Sequence, residues 1–361
     1  MGKDSKAKKK AKRADQDQQG TGDGAVVSKA EEAAAKVRAR VKSAKKLAKA
    51  RKAERAAAEA ALAASSTVED IAKQLGIPAA PPPPFEDLGS QLRVERGFVL
   101  ADLDPRSTPG YSGDKRSAEL DLEAGRAELS DLQERLFANG KDGEGPSVLL
   151  IVQGMDTSGK GGIMRHVVGA TDPGGVKYTA FKVPTAEERA HDFLWRIERA
   201  LPDPGQLGVF DRSQYEDVLV VRVHDLVPQA EWSKRYAQIN AFERAAARKG
   251  IVVVKVLLQI SSDEQRARLG ERLDRPDKFY KFNPGDIDER ARWSDYQEAY
   301  QAVLDKTSTK GAPWYVVPAD RKWYARLAVQ QLLLEHLRDL DLQWPEATFD
   351  VEVEKERLAE T

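Results

Sequence analysis

The sequence predicts an α/β fold, a parallel sheet with helices on both faces, preceded by a basic extension. Short apolar runs alternate with helical patterns from residue 115 onward, as strands joined by helical crossovers do. Strands alternating with helices argue for a parallel sheet covered on both faces. Charge is split along the chain. Residues 1–65 hold eighteen Lys/Arg and eight Asp/Glu, whereas the 361-residue chain has 58 of each class, so a basic head precedes an acidic body.

Composition excludes several chemistries. The chain has no cysteine, which rules out disulfides, thiolate metal sites and cysteine nucleophiles. A hydrophobic fraction of 41% supplies a sizeable core. No apolar run approaches the ~20 residues of a membrane helix. The opening MGKDSKAKKKAKR lacks the apolar segment of a secretory signal. The expectation is a soluble cytoplasmic protein with no membrane partner.

Residues 29–64 combine high helix propensity with few large apolar residues, so a helix there has no face to bury and the extension is helical or disordered. A short helix is expected over 68–75, and the four prolines at 81–84 make a stiff spacer. The expected organisation is an extension and linker over 1–84, one domain over 85–345, and an acidic tail over 346–361. Within the domain an amphipathic helix is expected over 115–138, stopped by Asn139-Gly140. Strands are expected at 148–153, 177–183, 207–210, 251–260 and 314–317. Helices are expected at 160–169, 186–200, 215–225, 229–248, 262–274, 286–306 and 321–339.

The first strand runs into Gly154-Met155-Asp156-Thr157-Ser158-Gly159-Lys160-Gly161-Gly162 and then a helical pattern. This is G-x-x-x-x-G-K in the strand–loop–helix context that gives the pattern meaning. Gly154, Gly159, Gly161 and Gly162 let backbone N–H groups turn toward a phosphate, and Lys160 adds a full charge. The residue after Lys160 is glycine, so the hydroxyl that usually meets Mg²⁺ is missing. Asp156 repels phosphate unless a cation lies between them. It therefore reads as a Mg²⁺ ligand that takes over the hydroxyl's task; the alternative is a turn-capping aspartate.

The third strand ends in Asp211-Arg212-Ser213-Gln214-Tyr215-Glu216. Ligands collect at the carboxyl ends of parallel strands, so Asp211 is expected near Asp156, both as metal ligands and catalytic groups with Lys160 and Arg212. Arg212 neutralises phosphate or transition-state charge, and Glu216 faces the acceptor. The alternative for Asp211 and Glu216 is a helix cap with a surface ion pair. After the fourth strand, Arg268, Arg272 and Arg275 recur at i, i+4, i+7 on one helix face. Arg266, Lys278 and Lys281 extend the positive region. This reads as a helical lid carrying cations over phosphates, with more charge than one triphosphate needs, so a longer polyanion is expected. A solvated face paired with Glu271 and Asp274 is the alternative.

These motifs place the chain in a P-loop kinase-like layout, and the sequence resembles the polyphosphate kinase 2 family over about residues 90–340. The resemblance rests on G-M-D-T-S-G-K-G-G (154–162), F-D-R-S-Q-Y-E-D-V-L (210–219), the E-Q-R-A-R to K-F-Y-K-F stretch (264–282), and T-S-T-K-G-A-P-W-Y-V-V-P-A-D-R-K-W (307–323). It looks closest to the polyphosphate:nucleotide phosphotransferase subgroup, from L-R-V-E-R-G-F (92–98), P-T-A-E-E-R-A-H-D-F-L-W-R (184–196) and V-V-R-V-H (220–224). It implies phosphoryl transfer between polyphosphate and AMP, ADP or guanine equivalents with Mg²⁺, and a homo-oligomer. It also implies that Asp156, Lys160, Asp211 and Arg212 occupy active-site positions. In that subgroup position 211 is commonly Asn beside Glu at 216, whereas Asp at 211 is usual in the ADP subgroup; here Asp211 and Glu216 occur together. Two alternatives remain: an ATP-dependent kinase of another small substrate, against which the missing Ser/Thr weighs, and nucleic-acid binding through the tail by backbone electrostatics.

Overall fold

In a computed structural model describing Phe85 and residues 87–361, a short helix α1 (Leu88–Leu92) leads into the long α2 (Lys115–Asn139). The basic extension and the helix expected at 68–75 lie outside the described residues. There follow β1 (Ser147–Gln153), α3 (Lys160–His166), β2 (Val176–Ala180), α4 (Ala186–Arg189), α5 (Trp195–Ala200) and β3 (Leu207–Asp211). Then come α6 (Val220–Val223), α7 (Gln229–Arg248), β4 (Ile251–Gln259), α8 (Ser262–Asp274), α9 (Gly285–Ala291) and α10 (Trp293–Thr307). The series ends with β5 (Trp314–Pro318), α11 (Lys322–Arg338) and α12 (Val351–Ala359).

All strand pairs are parallel, in the order β2-β3-β1-β4-β5. β1 is central and buried at every position. Val148, Leu150 and Val152 pack with Leu129 and Leu136 of α2, Ile163 of α3 and the leucines of α11. Leu149 and Ile151 point the other way, to Ile197 of α5, Ile239 of α7 and Val303 of α10. Alternation of side chains along the strand thus builds two cores, one per face.

Most expected elements form, with instructive breaks. The helix expected at 186–200 is two helices. A Thr185–Glu188 capping box starts α4, and Asp192 accepts from the Leu194 N–H to restart the chain at α5. The helix expected at 215–225 is a 3-10 turn, Gln214–Asp217, capped by Ser213, followed by α6. The helix expected at 286–306 breaks at Arg292 into α9 and α10. The helix expected at 160–169 ends at His166 and continues as a 3-10 turn, Val168–Ala170. β2 stops at Ala180 because its partner β3 ends at Asp211. The C-terminal stretch contains α12, which buries none of its residues.

The turn after β3 is held from beneath by a buried network. The Lys255 ammonium of β4 donates to Glu243 Oε2 at 2.7 Å, the Tyr215 hydroxyl at 3.0 Å and the Thr307 carbonyl at 2.7 Å. Glu243 Oε1 accepts from Tyr215 at 2.6 Å and Gln214 at 3.0 Å. Burial lowers the Lys255 pKa, opposed by Glu243. Replacing Glu243 by Leu leaves that ammonium buried without its counter-charge. It is expected to destabilise the fold by about 3–5 kcal/mol, read as a shift in denaturant midpoint. A shift of less than about 1 kcal/mol would show that the pair holds little.

Candidate active site

The carboxyl end of β1 passes directly into the glycine loop. Gly154 has φ +153°, and a Cβ there would lie 2.6 Å from Ser158 Oγ and 2.8 Å from the Leu258 carbonyl. Thr157 at φ 66° and Gly159 at φ 118° complete the reversal. Among the described residues the N–H groups of Thr157, Gly159, Lys160 and Gly161 meet no protein acceptor, the arrangement of an anion-binding concavity. Lys160 Nζ donates to the Gly154 carbonyl at 2.7 Å. Burial lowers its pKa, while Asp156, Asp211 and Glu216 favour the charged form.

Asp156, Lys160 and Asp211 line one cavity of about 390 Å³ together with Gly159, Gly161 and Gly162. Asp156 does not cap the loop; its Oδ1 accepts from Arg212 Nη2 at 3.2 Å. Asp211 does not cap the following turn either, which Ser213 does. Among the described residues the Asp211 carboxylate meets only a long contact, 3.5 Å, from the Tyr178 hydroxyl. β3 positions it by registering Asp211 against Val152 of β1. Arg212 sits at φ 64°. Burial opposes its charge, but Glu216, Asp156 and Asp211 outweigh burial and raise its pKa. Glu216 is not among the residues that line this cavity; Gln153 Nε2, at the end of β1, donates to its Oε1 at 3.1 Å.

The expected basic face is present: Arg268, Arg272, Arg275, Lys278 and Lys281 all line the same cavity. Arg268 differs from the expectation in one respect. It is 5% exposed. Its Nε donates to Glu264, Nη1 to the carbonyls of Thr157 and Ser158, and Nη2 to those of Ala319 and Asp320. A guanidinium has five N–H donors, and all five have protein acceptors, so Arg268 braces the phosphate loop. Arg272 pairs with Asp286 at 3.2 Å, and Arg275 with Glu271 and Asp277. Gln265 ties this region to the loop, receiving from Arg290 and donating to the Asp156 carbonyl.

Four basic cavity residues were not anticipated: Arg165 and His166 of α3, and Lys322 and Arg326 of α11. The last two stand at i, i+4 just after a strand end, a signal available in the sequence. Burial and the neighbouring Arg326, Arg165 and Arg126 lower the His166 pKa, as a site of positive potential does. No helix among the described residues is long and apolar enough to cross a membrane.

The profile of the family described as Polyphosphate kinase 2 (PPK2) matches residues 112–345. The chain is 46% identical over 256 residues to the AMP/ADP-polyphosphate phosphotransferase of Meiothermus ruber, covering 71% of this chain and 94% of that protein. It is 43% identical over 272 residues to the ADP-polyphosphate phosphotransferase of Rhodopseudomonas palustris, covering 72% and 92%. The crystal structure of polyphosphate kinase 2 from Arthrobacter aurescens TC1 superposes with a TM-score of 0.75 at 56% identity, covering 77% of this chain and 98% of that one. With the glycine loop and its Asp156, the strand-end Asp211 and the basic face gathered around one cavity, the chain belongs to the polyphosphate kinase 2 family of phosphotransferases.

Proposed function

We propose that this chain transfers a phosphoryl group between inorganic polyphosphate and a nucleoside mono- or diphosphate, with Mg²⁺. The observation that carries the reading is the convergence of Asp156, Lys160 and Asp211 on one cavity whose rim is Arg272, Arg275, Lys278 and Lys281. A rim so cationic fits a chain of phosphates better than a single terminal group.

The donor set fits Mg²⁺. No group of three or more His, Cys, Asp or Glu converges among the described residues, so no all-protein cage forms. Mg²⁺ is usually held by one or two carboxylates with phosphate and water oxygens, and Asp156 and Asp211 supply two. When bound, the ion neutralises charge on the reacting phosphates. Lys160 exchanges the Gly154 carbonyl for a donor phosphate oxygen. Arg212 meets charge on the transferring group. Glu216, outside the donor cavity, faces the acceptor. An acceptor phosphate is already ionised at neutral pH, so the residues position and neutralise and no strong base is needed.

The acceptor side is tested with AMP, ADP, GMP and GDP, each supplied with polyphosphate; transfer to none of them overturns the reading. Asp156→Asn and Asp211→Asn are each expected to raise the Mg²⁺ concentration for half-maximal rate, on the order of tenfold or more. An unmoved titration in Asp156→Asn would leave Asp156 only as the partner of Arg212. A homo-oligomer, a cytoplasmic location and a separate extension over residues 1–84 complete the reading; sedimentation velocity checks the first.

A further inference from the structure

We propose that Gln153 is a positioning residue for the acceptor site, acting through Glu216; this rests on the reading that Glu216 faces the acceptor. Gln153 closes the otherwise apolar run of β1 after Ser147 and is 1% exposed. Its Nε2 is the one hydrogen-bond donor to the Glu216 side chain among the described residues. The amide orientation is forced, because the flipped form would set two oxygens against each other. That orientation leaves Gln153 Oε1 buried with no hydrogen-bond partner among the described residues. An unmet buried carbonyl destabilises a fold, so an apolar side chain of similar shape would serve the strand better. A polar group kept at a destabilising position points to function.

The groups that feel the Glu216 charge come from three elements. Lys160 lies in the phosphate loop, Arg212 and Asp217 on the strand-end turn, and Tyr296 and Tyr300 on α10. Only Lys160 and Arg212 among them are cations. A carboxylate released by Gln153 would turn to one of these and withdraw it from the phosphates. Gln153 thus keeps Glu216 at the carboxyl end of β1, on the acceptor side.

The test is a double-mutant cycle of Gln153→Met, Glu216→Ala and both together, reading acceptor kcat/KM with polyphosphate as donor, and Tm. Gln153→Met keeps length and removes both polar atoms. It is expected to melt at or above the wild-type temperature and to lose about tenfold in acceptor kcat/KM, with no further loss in the Glu216→Ala background. An equal loss in both backgrounds, or a loss tracking a lowered Tm, overturns the inference in favour of a structural role. Wild-type acceptor kinetics in Glu216→Ala overturns the acceptor reading and the inference with it. A defect in Glu216→Ala without one in Gln153→Met overturns the inference alone. If Gln153→Met does not fold, Gln153→Glu keeps the test open, since it sets a second carboxylate beside Glu216. Its acceptor kcat/KM is expected to fall by tenfold or more at pH 8 and to recover partly as the pair takes up a proton on acidification; a wild-type profile across that range overturns the inference.

Discussion

Lys160→Ala is expected to lower kcat by ~10²-fold or more while the chain stays folded. The ammonium is the one full positive charge on the glycine loop between Gly154 and Gly162. In the described structure it is held at the Gly154 carbonyl, 2.7 Å away. That charged contact is worth about 2 kcal/mol, too little to account for a collapse of activity through unfolding. The loss is therefore expected in turnover, with Tm lowered by only a few degrees. Retained turnover in a folded variant would remove the loop from the chemistry.

Arg268→Ala is expected to act in the opposite sense, through stability first. Truncation leaves the carbonyls of Thr157, Ser158, Ala319 and Asp320 without their donor. Loss of a buried, fully engaged charge of this kind costs about 3–5 kcal/mol. For a domain of this size that shifts Tm by roughly 10 °C. Activity falls as well, because the loop loses the brace that ties it to the end of β5. Arg268→Lys cannot restore the fork, since an ammonium has three donors and no planar geometry. A gripping role on phosphate predicts another pattern: an unchanged Tm with a raised KM for polyphosphate. Tm and KM measured on the same variant separate the two.

The sequence makes the sheet legible because four of its five strands are largely apolar and buried, the edge strand β2 excepted, and the loop legible because glycine spacing is a strong constraint. All five strands lie where alternating apolar runs place them, within a few residues. The helices of the ligand edge are less legible. Thr185, Asp192 and Ser213 cap short segments there, and such caps break a periodicity that otherwise reads as continuous. Arg268, Arg272 and Arg275 share a face as their spacing requires. Helical spacing says nothing of depth, and only the tertiary fold turns Arg268 inward to the loop carbonyls. Gln153 is hidden for a related reason. It reads as the last residue of a strand, and its link to Glu216, 63 positions away, exists only once β1 and β3 pair.

On this reading polyphosphate is the phosphoryl donor in the cavity shared by Asp156, Lys160 and Asp211. One measurement tests it most directly: nucleotide phosphorylation with Mg²⁺, comparing polyphosphate of defined length with ATP as donor, in wild type and in Lys160→Ala. Transfer from polyphosphate to AMP or ADP is expected, abolished or nearly so in Lys160→Ala. Transfer from ATP to an acceptor with none from polyphosphate would contradict it.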